Sequence, residues 1–206
     1  MMVLDLIAHV RNEMLRDIPA PHIFSDDALT MYLNEGLAHM ARHTHLFVDE
    51  VELETVPGER KYNTPPGTIH VQNVMNERGI ALANFSRKTN PRRFSGTPSA
   101  YSTDAGQHRI ILTPTPDDVY LLTINRAYRP ERVANADELP VGDDHALLLA
   151  EWMMYRSLRN NDPDGSATVE ANIYHDAWQM GLRDLKREVI RYTAGDNPTA
   201  QPRSWT

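Results

Sequence analysis

The chain has 206 residues, no cysteine, a formal net charge of −7 at pH 7 and a pI near 5.7. A polypeptide of this size buries about 70% of its unfolded surface, enough for one sizeable core or a core with a satellite lobe. The acidic balance argues against a general nucleic-acid binder, and the missing cysteines exclude thiol nucleophiles and a disulfide framework. No apolar run approaches the roughly 20 residues that span a bilayer, and the acids and arginine in M-M-V-L-D-L-I-A-H-V-R-N-E speak against a signal peptide.

Met2 to Asp17 reads as a first helix, with Val3, Ile7, Val10, Met14 and Ile18 spaced by three or four residues until Pro19 and Pro21 stop it. The second, about Asp26 to His43, is capped by Ser25 and carries Asp26 and Asp27 where the N-terminal dipole favours negative charge. Leu29, Leu33, Gly36, Leu37 and Met40 form its apolar stripe, which turns Asn34, Glu35 and Arg42 away.

From Leu46 to Pro140 nine of the chain's fourteen prolines occur and apolar residues alternate with polar ones. Phe47 to Thr55 is predicted as a half-buried strand, with Val51, Leu53 and Thr55 on one side and Glu50, Glu52 and Glu54 on the other, closed by a turn at Pro57 and Gly58. Further strands are predicted over Arg60 to Asn63, Ile69 to Asn76, Ile80 to Ala83, Ala100 to Thr103, Gln107 to Thr113 and Tyr120 to Tyr128, with turns at Gly79 and Asp104 to Gly106. These make an antiparallel β lobe inserted between helices.

The helical period returns after Pro140. A third helix runs from Asp143 to Asn160 through Leu147, Ala150, Met154 and Leu158. A fourth, about Ser166 to Tyr192, carries the stripe Ala171, Tyr174, Trp178, Leu182, Leu185, Val189 and Tyr192. Gly181 on that stripe lets a neighbouring helix come close, and Arg183, Lys186, Arg187 and Arg191 suit the dipole at the C-terminal end. Thr193 to Thr206 are too polar to form a core. The expected fold is therefore α+β. Helices from 1–45 and 141–192 make a four-helix bundle, 46–140 an inserted antiparallel β lobe, and 193–206 a flexible C-terminal tail.

The order of these pieces is familiar. A capping serine with acids, then Y-L-N-E-G-L, A-R-H-T-H and P-G-E-R-K-Y, then a hairpin beside Pro114-x-Pro116, then Tyr128-Arg129-Pro130 and two helices, resembles the head-to-tail adaptor (connector) proteins of short-tailed bacteriophages, the tail accessory factors. The resemblance covers roughly residues 1 to 192. It implies a structural virion protein at the head-to-tail interface, made in the host cytoplasm. Twelve copies would form a ring between the portal protein and a tail or nozzle protein. The genome would pass through its lumen without sequence-specific binding, and no membrane is involved. A head- or tail-completion protein of the same neck region is the alternative within that class.

The resemblance also implies that the C-terminal segment orders itself along the portal, which makes Arg203 and Trp205 the docking candidates; read alone, the segment is equally a frayed terminus. Arg87, Lys88, Arg92 and Arg93 form a basic cluster with no acid among them. They are open to a solvated loop, a contact with the ring or tail, or a contact with DNA phosphates. Spare apolar positions for subunit contacts are Leu147, Leu148 and Leu149 on the third helix and Leu4, Leu6 and Leu15 on the first.

The enzyme-like constellation is Glu35, His39 and His43 at successive i, i+4 steps, with His45 just beyond. It could offer metal ligands to a hydrolase, or be a solvated or subunit-facing stripe. The H-E-x-x-H order is absent. The paired acids Asp26-Asp27, Asp117-Asp118 and Asp143-Asp144 fall at helix starts and a turn, where capping accounts for them. No catalytic residue, metal or cofactor is expected.

Overall fold

The computed structural model describes residues 1–17, 22–85, 94–104, 106–160 and 168–195. The elements in chain order are α1 (Val3–His9), a π-helical segment (Val10–Leu15), α2 (Asp26–Thr44), β1 (Val48–Glu54), β2 (Lys61–Asn63), β3 (Thr68–Met75), β4 (Ala83–Asn84), β5 (Ala100–Asp104), β6 (Arg109–Thr113), β7 (Leu121–Tyr128), α3 (Asp143–Asn160) and α4 (Thr168–Gly195). The architecture is α+β, four helices and two small sheets. It divides into a helical unit, Met1–Leu46 with Pro130–Thr206, and a β unit, Phe47–Arg129.

In the helical unit α2, α3 and α4 pack on one another, and α1 packs on α2 and α3. Ser25 Oγ accepts the amide of Ala28 at 3.2 Å, which satisfies one of the orphan donors at the start of α2. The predicted stripe of α2 is buried throughout, joined by Tyr32 and Ala41, and Leu149 and Met153 of α3 and Trp178, Leu182 and Leu185 of α4 are buried with it. Neighbouring side chains press close on the helices at Gly36 and Gly181. A Cβ on Gly36 would lie 2.9 Å from Trp152 Cδ1, and one on Gly181 would overlap Leu148.

The first helix departs from the expected single α-helix: its second half is π-helical and ends at Arg16 in the left-handed region (φ 53°). The wider turn buries the successive residues Val10 and Arg11. Arg11 then reaches Phe24 O at 2.8 Å and Asp26 at 2.7 Å. Asp17, also buried, accepts the amides of Ile23 and Phe24 at 2.9 and 3.1 Å, so two charged side chains close the link between the first two helices.

Residues 130–140, which the sequence pattern groups with the β lobe, are hydrogen-bonded to helices. Asn34 donates to Val133 O and accepts from Val133 N, both at 2.9 Å, Thr30 Oγ1 bonds Asn135, and Val3 N donates to Asp137 O at 3.0 Å. Asn34 therefore does not face away from the core as its spacing suggests.

The β unit holds a three-stranded sheet of order β1-β7-β3 and a four-stranded sheet of order β2-β6-β5-β4. All pairings are antiparallel except β4 with β5, which is parallel over two residues and corrects the expectation of a wholly antiparallel lobe. The expected strand over 80–83 shrinks to Ala83–Asn84, because Asn76 Oδ1 takes the amides of Arg78 and Ile80, each at 3.0 Å, and holds that stretch in the turn around Gly79 (φ 72°). Both sheets contribute to one core, Tyr62, Val71, Val74, Leu82, Tyr101, Ile110, Leu112, Leu122 and Ile124.

Candidate functional site

Helix α2 carries Glu35, His39 and His43 on one face, as their spacing requires, but they do not converge on a common point. Glu35 Oε2 lies 3.1 Å from Arg156 Nε of α3. His39 Nδ1 accepts from Trp178 Nε1 of α4 at 3.3 Å, and its ring stacks on Trp152 of α3 with centroids 5.0 Å apart and planes 17° apart. The His43 ring lies 4.2 Å from that of His39. Burial, then the like charges of His43, Arg42 and His175, lower the His39 pKa from 6.5 to about 4. A neutral imidazole is what such a place selects, because its unprotonated Nδ1 must accept the indole hydrogen.

Glu35 and His39 thus belong to a polar and aromatic seam between three helices, while His43 is exposed, as a solvated stripe would have it. Among the described residues no group of three or more His, Asp or Glu is placed to hold a metal ion.

The paired acids perform local structural work. Asp26 pairs with Arg11, while Asp118 Oδ1 accepts the amide of Val119 at 2.8 Å and Asp117 Oδ1 accepts the hydroxyl of Tyr120 at 2.7 Å. Of the spare apolar positions, Leu4 (46% exposed) and Leu147 (49%) reach the surface, but Leu6 and Leu149 are fully buried. Leu148 packs over Gly181. The basic cluster Arg87, Lys88, Arg92 and Arg93 and the docking candidates Arg203 and Trp205 lie outside the described residues.

Two further features carry no sequence motif. Arg126, on β7, is buried and clamps Asp49 of β1 with Nε–Oδ1 at 2.7 Å and Nη2–Oδ2 at 3.0 Å, while Nη1 donates to Pro66 O and Thr68 Oγ1. Its alternation with Leu122 and Ile124 is the signal that places it on the inner face. The other is the outer face of α4. Val169 (74%), Ile173 (63%) and Met180 (62%) are exposed in its first half, and Arg183, Arg187 and Arg191 follow in its second.

The helix dipole does not account for those arginines. α4 continues to Gly195, its last turn holds no basic residue, and the dipole's influence fades within one turn. Arg187 and Arg191 themselves line a groove of about 610 Å³ between α3 and α4, floored by Leu148, Gly181 and Leu185 and rimmed also by Asp144, His145, Asp184 and Glu188.

No helix among the described residues is long and apolar enough to cross a membrane. Of the buried charged groups, Arg11 and Arg126 are engaged in ion pairs with Asp26 and Asp49. No curated protein matches the chain. A protein family does match, the SU10 adaptor proteins, over residues 1–202, which takes in both units. The chain therefore belongs to the SU10 adaptor protein family, neck components of short-tailed phages with a structural role.

Proposed function

We propose that this protein is the head-to-tail adaptor that joins the portal to the tail, assembled as a ring through which the genome passes. The family match over residues 1–202 is the observation that carries this reading. The helices from both ends of the chain act as a four-helix bundle that fixes each copy, and the β lobe and the C-terminal residues make the contacts. Arg203 and Trp205 dock on the portal, and Arg87, Lys88, Arg92 and Arg93 meet a neighbouring subunit or the tail or nozzle protein. Twelve copies match the resemblance described above. A protomer with net charge −7 repels DNA weakly, so the duplex slides without sticking.

Imaging the neck of intact particles tests the location, with a label fused to this chain. Density in a ring directly below the portal is the expected result; a label in the neck but not against the portal would replace the adaptor by a completion protein, and a label outside the neck would overturn both. Deleting 193–206 should leave the fold intact and weaken portal binding; unchanged binding removes the docking role.

A further inference from the structure

The outer face of α4 has a counterpart in the same chain. Arg183, Arg187 and Arg191 are exposed and succeed one another by one helical step, so at about 1.5 Å per residue their heads repeat every 6 Å or so over about 12 Å. Glu50, Glu52 and Glu54 are exposed on one face of β1, which at about 3.3 Å per residue repeats every 6.6 Å or so over about 13 Å. The residues opposite them on β7 are Asn125, Thr123 and Leu121, so no cation stands across the ladder to offset three like charges in a row.

Among the described residues no ion pair engages any of the three glutamates, nor Arg183 or Arg191; Arg187 meets Asp184 at 3.0 Å. Each ladder is flanked by exposed apolar side chains, Ile190 and Met180 on the helix and Val48 and Leu121 on the sheet.

We propose that the glutamate ladder of β1 in one copy receives the arginine ladder of α4 in the next copy of this chain. The inference rests on the ring reading above and names its subunit contact. Every copy carries both halves, and two different patches that meet make a heterologous interface, the kind that generates closed rings. Exposed ion pairs mainly set register and encounter rate, and the flanking Met180, Ile190, Val48 and Leu121 supply the apolar area.

The chain lacks cysteine, so disulfide trapping has no background. The full chain carrying both Glu52→Cys and Arg187→Cys, oxidised at high protein concentration, should give a covalent series of dimers, trimers and larger species. Each single variant alone should stay monomeric on a denaturing gel, and the two mixed should stop at dimers. Independently, Arg183→Glu with Arg187→Glu and Arg191→Glu should weaken self-assembly about tenfold or more, as should Glu50→Arg with Glu52→Arg and Glu54→Arg. Mixing the two reversed chains should restore contact between them.

Rings that form normally in both reversed variants, with no covalent series, overturn this inference and leave the ring reading standing. A wild-type chain that forms no closed assembly, alone or in purified necks, overturns both. Salt-sensitive retention of duplex DNA that the arginine reversal abolishes, with assembly intact, overturns the inference in favour of a phosphate-binding face.

Discussion

Acid should loosen the helical unit through His39. Its folded pKa is depressed, so as pH falls the unfolded chain takes up a proton near 6.5 while the folded chain resists until about 4. Stability from this group is whole above pH 6.5 and is lost progressively as pH falls through that window. The gap corresponds to at most about 3.4 kcal/mol, and with the ring only half-buried, screening reduces this to roughly 1–2 kcal/mol.

His39→Gln keeps an acceptor for Trp178 Nε1 and removes the titration. Urea denaturation followed by tryptophan fluorescence at pH 7.5, 6, 5 and 4.5 gives the free energy of each protein. The wild type should lose about 1–2 kcal/mol more than the variant over that range. Glu151, whose pKa burial raises, titrates in both proteins and drops out of the difference. A difference that stays constant from pH 7.5 to 4.5 refutes the argument that His39 is held neutral by its packing.

Gly36→Ala should destabilise by about 1–2 kcal/mol in thermal or urea melts, because overpacking against the Trp152 ring outweighs the roughly 1 kcal/mol gained in helix propensity. Asp17→Ala leaves the amides of Ile23 and Phe24 without their acceptor and should cost about 2–3 kcal/mol, measured the same way. Burial alone would raise the Asp17 pKa, but the Ile23 and Phe24 amides, with His22 and Arg11, lower it overall, so its stabilisation persists above pH 3.8 and is lost as pH falls below that. Arg126→Ala strands the Asp49 carboxylate and should cost about 2–4 kcal/mol, part of which the double variant with Asp49→Ala should recover.

Helix positions were legible because a stripe such as Leu29-Leu33-Leu37-Met40 announces its own period, and α3 and α4 begin within two residues of where capping acids and spacing put them. The order of strands was not. β1 pairs with β7, so Val51 meets Ile124 across a long stretch of chain, and nothing local in either strand names the other. The π-helical turn was hidden for a related reason, since it exists to bury Arg11, whose partners lie beyond the prolines. At the histidine face, spacing gave the shared face of Glu35, His39 and His43, but Trp152 and Trp178, which occupy it, arrive from remote helices. The arginines of α4 were visible as a run, yet their purpose depended on where the helix ends.

The polypeptide enters and leaves the β unit at one place, which decides where the chain can be cut and rejoined. β1 and β7 are antiparallel neighbours with Val48 opposite Ala127, and the amide of Tyr128 donates to Phe47 O at 2.9 Å, so the two ends of the unit are fastened side by side. Any other module whose first and last strands are likewise zipped together offers the same pair of attachment points to the chain before and after it. In terms of connectivity the lobe is a closed insertion, and a graft made at Phe47 and Tyr128 keeps the spacing between the two chain ends.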